Sequence, residues 1–557
     1  MISNNTVNIL EVRDLSVSYG IVDAVKNVDF IVPDQRIVGL VGESGSGKST
    51  LISAVIGLLP EIASIDSGEI IFADKDLRHL CESNFQMLRG SNISVVPQDS
   101  LSALNPMLTI GQHMTDIQYR DNINASAKRE RAVEALQAVH MPDPESRLDM
   151  YPHELSGGQK QRVSIAMAIM MKPKLLIADE PTTALDATLE VEIIALLKEL
   201  QKKIGCAMVI VTHHLGVVSE LCSDVVVMYQ GEVQEAGLVD DVFNRPKSDY
   251  MRKLLCCDPA RIDEKCRRLP TMSQPDLKVI ETAKQVQQRI CSDEPPILKM
   301  SNAEVSFQKP FSLMGLIKGQ TRGIIQAVDK ASIELSRGET LAIVGESGSG
   351  KTTLIRSILR LVKMQSGSVE LCGQSILNAD KNELRQLRSE IALVFQDPIG
   401  SLSPRMNVHA ILREPILRRA NQPQSITQEV ERLLQLVGLD VSFAHRYPHQ
   451  LSGGQARRIC VARALAQEPK LLIADEPTAG LDVSIQGEVL NLLAELQEEL
   501  QLPILIITHN LNIVRHVSDR VAIMYMGKIV EQGATESIFS NPEHDYTKRL
   551  LAANLCA

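Results

Sequence analysis

Short apolar runs recur along the chain in matched pairs. Residues 175–178 and 471–474 both read Leu-Leu-Ile-Ala, and residues 37–41 are matched by the apolar run at 341–344. Four or five consecutive apolar residues between turn residues predict strands that are buried on both faces, as in parallel sheets. Residues 132–139 and 429–437 instead show apolar positions at helical spacing, which predicts a helical region inserted into each α/β core.

Two polar positions recur in the two copies at the same spacing. Ser452 follows Ser156 by 296 residues, and Asp475 follows Asp179 by the same 296 residues. A chain of 557 residues also exceeds the usual size of one domain. We therefore predict an α/β protein with two tandem domains, residues 1–255 and 297–557. The β-rich openings are expected to begin with short strands such as residues 8–12 and 28–32.

Residues 256–296 break the repeat, because they are polar, charged and rich in proline. We interpret them as the tail of the first domain followed by a linker. The pair Arg267–Arg268 is expected to be a solvated surface. Cys256, Cys257, Cys266 and Cys291 show no Cys-x-x-Cys spacing, so dispersed, reduced thiols are expected rather than a metal site.

Charge and composition exclude some classes of function. The net charge of −10 argues against nucleic-acid binding through bulk electrostatics, and aromatic residues make up only 3% of the chain, with no tryptophan. We find no apolar run long enough for a transmembrane helix and no signal peptide, so a cytoplasmic chain is expected.

The runs at 37–41 and 341–344 lead into the strongest motif of the sequence. Residues 42–49 read Gly-Glu-Ser-Gly-Ser-Gly-Lys-Ser, and residues 345–352 differ only in ending with threonine. This is a P-loop between a strand and a helix, in which backbone N–H groups and a lysine bind phosphates and the final hydroxyl suits Mg²⁺. Two matches exclude coincidence. The candidate phosphate-binding residues are Gly42, Ser44, Gly45, Gly47, Lys48, Ser49 and Thr50, with Gly345, Ser347, Gly348, Gly350, Lys351, Thr352 and Thr353 in the second repeat.

Acidic residues follow the paired runs at 175–178 and 471–474. A strand that ends in two acids places them at the carboxyl edge of the sheet, where open α/β sheets bind ligands. Asp179 suits a role linked to Mg²⁺, and Glu180 suits polarisation of an attacking water. Without the P-loop upstream, acids that merely end a strand would be the preferred interpretation. Asp475 and Glu476 are the counterparts.

Two further polar residues recur after apolar runs. His213 and His509 each follow such a run and could reach a γ-phosphate. Gln98 and Gln396 occupy equivalent places, where a single glutamine would be an ordinary surface residue. Tyr19, which we expect in the first turn, could either pack in the core or stack on a base.

The motif Leu-Ser-Gly-Gly-Gln at 155–159 and 451–455 completes the set. Two P-loops, two such signature turns, two acidic strands and two histidines resemble the nucleotide-binding domains of ABC transporters, over nearly the whole chain. The resemblance implies ATP and Mg²⁺ as cofactors and two P-loop NTPase domains, each a RecA-like core with an antiparallel β subdomain and a helical subdomain.

In that family two domains pair head to tail, so the resemblance implies intramolecular pairing and composite sites. The Lys48 site would be closed by Ser452, Gly453, Gly454 and Gln455, and the Lys351 site by Ser156, Gly157, Gly158 and Gln159.

The resemblance also implies roles for single residues. Glu180 and Glu476 would be catalytic bases, assisted by Gln98, Gln396, His213 and His509. Tyr19 and Phe307 would stack on adenine, and residues 309–326, between Phe307 and the next strand, look like an insertion. Asp186 and Asp482 match the D-loop. The resemblance implies metal ligands at Ser49, Gln98 and Asp179, and at Thr352, Gln396 and Asp475.

A narrower resemblance concerns residues 98–106 and 396–404, the tails at 249–255 and 544–551, and residues 268–271, which are similar to importers of peptides and nickel. It implies an ATPase that energises such an importer. The partners would be two transmembrane permeases and a periplasmic solute-binding protein, with no nucleic acid, at the cytoplasmic face of the inner membrane. The cysteine spacing of the cluster-bearing tails is absent here, so no iron–sulfur cluster is expected. The alternative is a soluble twin-cassette ATPase that acts on ribosomes or DNA.

Overall fold

A computed structural model describes residues 7–99, 103–183, 185–262, 264–277, 279–280, 295–308, 324–395, 397–419 and 421–554. The chain divides into two units, Met1–Asp258 and Pro259–Leu555. Each unit contains an antiparallel sheet and a six-stranded, mostly parallel sheet with helices around it. No described helix is both long and apolar enough to cross a membrane.

The first unit begins with an antiparallel sheet in the order β2–β1–β4–β5. Its strands are β1 (Asn8–Tyr19), β2 (Val22–Pro33), β4 (Ala63–Phe72) and β5 (Lys75–Asp76). The second sheet has the order β10–β9–β3–β8–β7–β6, in which only β10 is antiparallel. Its strands are β3 (Ile37–Val41), β6 (Ile93–Val96), β7 (Leu175–Asp179), β8 (Ala207–Thr212), β9 (Asp224–Tyr229) and β10 (Glu232–Leu238).

The helices of the first unit connect and cover these strands. They are α1 (Lys48–Val55), α2 (Glu82–Leu88), α3 (Ile110–Asp116), α4 (Ala125–Ala138), α5 (Pro144–Leu148), α6 (Gly157–Ile169), α7 (Ala187–Ile204), α8 (Leu215–Leu221), α9 (Val239–Asn244) and α10 (Asp249–Cys256), with a 3₁₀ turn at Pro152–Glu154. The helices α3 to α6 lie between β6 and β7 in the sequence, where the helical insertion was predicted.

The second unit repeats both sheets, in the orders β14–β13–β16–β17 and β18–β19–β20–β15–β21–β22. A short preceding pair is β11 (Cys266–Arg268) and β12 (Val279–Ile280). The remaining strands are β13 (Leu298–Gln308), β14 (Ile324–Leu335), β15 (Thr340–Val344), β16 (Ser366–Leu371), β17 (Gln374–Ser375), β18 (Ile391–Val394), β19 (Leu471–Asp475), β20 (Ile504–Thr508), β21 (Arg520–Tyr525) and β22 (Lys528–Ala534).

The helices of the second unit follow the same order. They are α11 (Lys351–Ile358), α12 (Lys381–Ser389), α13 (Pro398–Ser401), α14 (Val408–Ile416), α15 (Ile426–Leu436), α16 (Gly453–Leu465), α17 (Val483–Leu500), α18 (Leu511–Val517), α19 (Thr535–Ser540) and α20 (Asp545–Asn554). The 3₁₀ turns are Pro259–Arg261, Val441–His445 and Pro448–Gln450.

The strand β7 shows why the apolar runs have no alternation. Leu175 and Ile177 belong to the core against the antiparallel sheet, whereas Leu176 and Ala178 belong to the core against the helical insertion. Because both faces are buried, every position must be apolar until the strand reaches the sheet edge. The first acid, Asp179, therefore follows directly after Ala178, the last buried apolar residue of the strand.

The opening strands are longer than the pattern predicts. β1 and β2 each span twelve residues, and Tyr19 is the last residue of β1 rather than part of a turn. Register shifts interrupt the pairing near Asp14 and Asn27, whose φ angles are 50° and 45°. Such bulges break the alternation of apolar residues, so the pattern alone indicated shorter strands.

The segment from Pro259 to Ile280 belongs to the second unit and packs on its helices α17 and α18. The expectation of solvated arginines at 267–268 is wrong. Arg267 is 8% exposed, and both arginines donate to the carboxylate of Glu498 in α17, at 3.1 Å and 2.6 Å. Next to them, the backbone N–H of Leu269 donates to Asn491, whose amide nitrogen donates back to the Leu269 carbonyl, both at 2.8 Å.

Candidate active sites

The P-loop lysine of each unit is buried and held by its own loop. The ammonium of Lys48 donates to the carbonyl oxygens of Gly42 and Glu43 at 2.6 Å and 2.8 Å. In the second unit Lys351 donates to the equivalent carbonyls at the same two distances. The charge therefore has a fixed place at the start of the helix that follows. Converging N–H groups, a fixed cation and a helix N-terminus together make an anion site.

Gly47 has no room for a side chain at the turn into the P-loop helix. Gly47 has a φ of 99°, and a Cβ there would lie 2.5 Å from the carbonyl oxygen of Ala24. Gly350 has a φ of 109°, with the carbonyl oxygen of Ala327 at 2.2 Å from the corresponding Cβ position. Both the left-handed backbone and the close approach require glycine here. These residues fix the turn from loop to helix.

The carboxyl edge of the sheet brings three predicted residues together in the first unit. The carboxylate of Glu180 lies 2.7 Å from Nδ1 of His213 and accepts a hydrogen bond of 2.7 Å from the amide of Gln98. These side chains come from the ends of three neighbouring strands, β7, β8 and β6. Glu180 has a φ of 46°, a left-handed conformation that is uncommon for a residue with a side chain.

The electrostatics of the two acids differ. Burial raises the pKa of Glu180, but the hydrogen bonds from His213, Thr183 and Gln98 outweigh it and lower that pKa to about 2. Burial and the neighbouring Glu180 raise the pKa of Asp179, with Lys48 opposing that rise. At neutral pH Glu180 is therefore ionised and is a hydrogen-bond acceptor, which suits orienting and polarising a water more than removing its proton outright.

The second unit repeats the arrangement in part. Glu476 has a φ of 50°, and its carboxylate lies 2.8 Å from Nδ1 of His509. Burial and Glu476 raise the pKa of Asp475, opposed by Lys351 and Arg356. Gln396 lies outside the described residues, as do Ser100–Ser102 and residues 309–323 of the expected insertion.

The signature turns are helix caps exposed to solvent. The hydroxyl of Ser156 accepts a hydrogen bond from the backbone of Gln159, and the side chain of Gln159 accepts one from the backbone of Ser156. Ser452 and Gln455 form the same box. Each glutamine thus orders the turn, which presents an exposed serine and glycine at the start of a helix.

The predicted adenine-stacking residues differ in their surroundings. Tyr19 is partly buried beside the P-loop helix, with its hydroxyl 3.4 Å from that of Thr50. Phe307 is 43% exposed near the end of β13. Tyr19 therefore lies beside the phosphate site, and the exposed ring of Phe307 has a face available for stacking.

The donors at each P-loop fit Mg²⁺. Ser49 and Thr352 are exposed at the second position of the P-loop helices, and Asp179 and Asp475 are half-buried carboxylates at the adjacent sheet edge. Among the described residues, no group of three or more histidine, cysteine or acidic side chains is arranged so that it could hold a metal ion by itself. Mg²⁺ prefers one or two carboxylate or hydroxyl oxygens together with phosphates, so this sparse set suits it.

Three residues at these sites have no place in the sequence prediction. The hydroxyl of Thr183 donates to Glu180 at 2.9 Å. The buried side chain of Arg457 donates to the backbone carbonyl of Glu476. The hydroxyl of Tyr546 accepts from the backbone N–H of Glu346 in the P-loop at 3.1 Å. Thr183 and Tyr546 lie in motifs that the repeat already marks. Arg457 has no such signal, because it depends on a contact formed only in the folded unit.

Comparison with known proteins decides the family. The family model described as ABC transporter matches residues 25–183 and 328–479. The chain belongs to the ABC transporter family. Its two cassettes, its α/β fold class and its predicted activity as an ATPase are thereby confirmed.

Relatives of the ABC chain match it along almost its whole length. The glutathione import ATP-binding protein GsiA of Pectobacterium atrosepticum is 39% identical over 561 residues, covering 98% of this chain and 89% of that protein. GsiA of Escherichia coli (strain K12) is 39% identical over 565 residues, with the same coverage. Among solved structures, cbiO1 from Clostridium perfringens is 31% identical over 44% of this chain and 92% of that chain, with a TM-score of 0.39. The family implies membrane permease partners, and these import proteins do not favour the ribosome or DNA alternative.

Proposed function

We propose that this chain is the ATP-hydrolysing engine of an importer for peptides or related small solutes. The observation that carries the proposal is a glutamate carboxylate held by a histidine at the sheet edge, beyond a buried P-loop lysine, and this arrangement is present twice. Glu180 and Glu476 would each orient and polarise the water that attacks a γ-phosphate. His213 and His509 would hold both the glutamate and that phosphate.

Nucleotide binding would use the P-loops as described. The N–H groups and Lys48 or Lys351 would bind the phosphates, and Tyr19 or Phe307 would stack on adenine. Mg²⁺ would be held by Ser49 and Asp179, or by Thr352 and Asp475, and would neutralise charge on the phosphates. The aspartates are not paired with a basic side chain at hydrogen-bond distance among the described contacts, which supports a ligand role.

The two signature turns would complete the sites. We propose the head-to-tail arrangement, in which Ser452 and its glycines close the Lys48 site and Ser156 and its glycines close the Lys351 site. The exposure of each serine and first glycine supports this, since a turn that closes a site on another domain must be accessible. The ordered caps supply free N–H groups for an anion.

A surface groove on each unit supports docking of a permease. In the first unit a cavity of about 400 Å³ lies between β6 and α6 and is lined by Pro97, Leu104 and Tyr119, the last of which is 70% exposed. In the second unit the equivalent cavity of about 240 Å³ lies between β18 and α16, beside Phe395. Pro97 and Phe395 directly precede Gln98 and Gln396 in the sequence. A permease bound in the groove would therefore act on the segment that leads into each glutamine.

The cargo class follows from the relatives, whose names describe glutathione import. Glutathione is a tripeptide, and the peptide-type tails agree with such a solute. The chain would work with two permeases and a periplasmic binding protein, at the cytoplasmic face of the inner membrane.

The experiment compares the full chain with Glu180→Gln, Glu476→Gln and the double variant. We expect the double variant to bind ATP with unchanged affinity and to lose hydrolysis at least a hundredfold. Glu199→Gln is the matched control, because Glu199 is an exposed acid on α7 that pairs with His140 away from the site. Unchanged hydrolysis in the double variant would refute the assignment.

Transport is tested in cells that lack the chain, by uptake of labelled glutathione and of di- and tripeptides. The wild-type chain should restore uptake of at least one of them, and the double variant should not. Recovery of the chain with ribosomes and its absence from membranes would overturn the importer proposal.

A further inference from the structure

The loop that carries the glutamate is held differently in the two units. In the first unit the hydroxyl of Thr183 donates to the carboxylate of Glu180 at 2.9 Å. The residue 296 positions later is Ala479, which has no hydroxyl to offer to Glu476. Since both glutamates share a left-handed φ, the second loop needs another restraint to keep the same uncommon conformation.

That restraint comes from the helix that follows the signature turn. Arg457 in α16 donates to the carbonyl oxygens of Glu476 at 3.3 Å and of Ala479 at 3.1 Å. A third bond of 3.2 Å reaches the carbonyl of Phe395, which directly precedes Gln396. One guanidinium therefore joins the signature helix, the glutamate loop and the end of β18 within the second unit.

The burial of Arg457 indicates a specific role. It is 1% exposed and is the largest fully buried side chain among the described residues. Burying a guanidinium is costly unless carbonyls or acids satisfy its donors, and the rigid planar fork of arginine allows several carbonyls to be bridged at once. A neutral side chain would fill the same place at lower cost if only packing mattered.

The first unit has a different residue at the position of Arg457. Gln161 occupies the position equivalent to Arg457 and is 4% exposed. Its amide nitrogen has no hydrogen-bond partner among the described residues. The unit that has Thr183 thus lacks the bridging arginine, and the unit that has Arg457 lacks the threonine.

We propose that Arg457 is a positioning residue for Glu476, and that its bonds to the loop carbonyls replace the hydroxyl bond that Thr183 makes to Glu180. The inference rests on the proposed role of Glu476 in hydrolysis. Arg457 touches neither nucleotide nor water in this account. It acts through the backbone of the glutamate loop.

The test converts the second unit to the pattern of the first in two steps. Arg457→Gln should lower kcat of the full chain at least about twofold, with KM for ATP unchanged, because binding is untouched and the glutamate is misplaced. Adding Ala479→Thr should restore most of the loss, since the new hydroxyl can bond Glu476. In the Glu476→Gln chain, Arg457→Gln should cause no further loss.

A structural readout accompanies the kinetics. Hydrogen exchange of the peptide spanning residues 476–482 should rise in Arg457→Gln and fall again with Ala479→Thr, whereas the peptide at 180–186 should not change. Gln161→Ala is the matched control, and we expect kcat and exchange to stay at wild-type values.

The outcomes separate this inference from the proposed function. If Glu476→Gln leaves hydrolysis unchanged, the role of Glu476 fails. If Glu476→Gln abolishes hydrolysis but Arg457→Gln changes neither kcat nor exchange, or if Ala479→Thr restores nothing, the positioning role is overturned. Should Arg457→Gln fail to fold, Arg457→Lys decides, since lysine cannot bridge three carbonyls. The kcat of Arg457→Lys should be lower than that of the wild-type chain, and Ala479→Thr should restore it.

Discussion

Nδ1 of His213 lies 2.7 Å from the carboxylate of Glu180, and this bond outranks those from Thr183 and Gln98 among the interactions that lower the pKa of Glu180. Removing the imidazole in His213→Ala leaves burial as the dominant effect on that carboxyl, and burial raises its pKa. Because the folded-state pKa is about 2 with the histidine present, Glu180 is ionised throughout the working range of the wild-type chain. The acid limb of the pH–rate profile should therefore move to higher pH in the variant, and kcat should fall at least about tenfold.

The neighbouring His214→Ala is the control for this prediction. His214 pairs with Glu190 at 3.4 Å rather than with Glu180, and its counterpart in the second unit is Asn510. We expect its pH–rate profile to match that of the wild-type chain. An identical acid limb in His213→Ala and wild type would show that the histidine does not set the ionisation of Glu180.

The segment after Asp258 should loosen in acid because of His516. Its Nδ1 accepts from the backbone N–H of Cys266 at 3.3 Å and its Nε2 lies 3.1 Å from the carbonyl of Pro259, which fixes a neutral ring with the proton on Nε2. Burial lowers the pKa of His516 to about 4, and the nearby Arg515 and Lys265 also oppose its charging. Protonation of Nδ1 would place its new N–H opposite the backbone N–H of Cys266, and the hydrogen bond between them would be lost.

The sign of the effect follows from the two pKa values. The unfolded chain takes up a proton near the ordinary histidine value of 6.5, whereas the folded chain does so only near 4, so stability is lost as the pH falls between them. The contribution reaches about 2–3 kcal/mol near the bottom of this window. Hydrogen exchange of residues 259–271 should rise steeply with acid in the wild-type chain and much less in His516→Gln. Equal acid sensitivity in the two chains would contradict the prediction.

The sequence alone predicts the residues that act at fixed places in a motif. The P-loop lysines, the paired acids and the histidines at the sheet edge follow from spacing, because β7 and β8 lie side by side and end at the same edge. The helical insertion between β6 and β7 follows from periodicity.

Contacts between segments far apart in the sequence are not predictable in this way. Arg267 and Arg268 look like surface residues because their partner, Glu498, lies about 230 positions later and has the pattern of an exposed helix face. The difference between Arg457 and Gln161 can be interpreted only from three backbone carbonyls that two other segments supply. Bulges at Asp14 and Asn27 disguise long strands, because one extra residue reverses the alternation.

The P-loop turn offers a prediction on backbone geometry. In Gly47→Ala the new Cβ meets the Ala24 carbonyl at 2.5 Å in addition to the cost of the positive φ. We expect the free energy of unfolding to fall by about 2 kcal/mol or more and ATP affinity at this site to be lost. Gly205→Ala is the control, since Gly205 caps α7 with a φ of 72° and has no atom within 4 Å of its Cβ position. It should cost about 1 kcal/mol and leave ATP affinity unchanged, and an equal effect on ATP binding would contradict the argument.

The arginine pair and Glu498 give a prediction that distinguishes the two units. Glu498→Lys leaves the buried Arg267 facing a like charge and removes the 2.6 Å bond to Arg268. Because Glu498 is about half exposed, water screens part of the repulsion, and we expect a loss of about 2 kcal/mol in the stability of the second unit. The equivalent residue in the first unit is Lys202, which already has the opposite charge, so Lys202→Glu is the matched control and should change stability by less than about 0.5 kcal/mol. Thermal unfolding and hydrogen exchange of residues 259–271 measure both variants.

Exchanging the charges of the pair tests the same contact. Arg268→Glu combined with Glu498→Lys should recover part of the loss, because the pair is re-formed with its charges exchanged while Arg267 stays near a lysine. No recovery, together with unchanged exchange in Glu498→Lys, would show that burial of Ile262, Cys266 and Leu269 alone holds the segment in place.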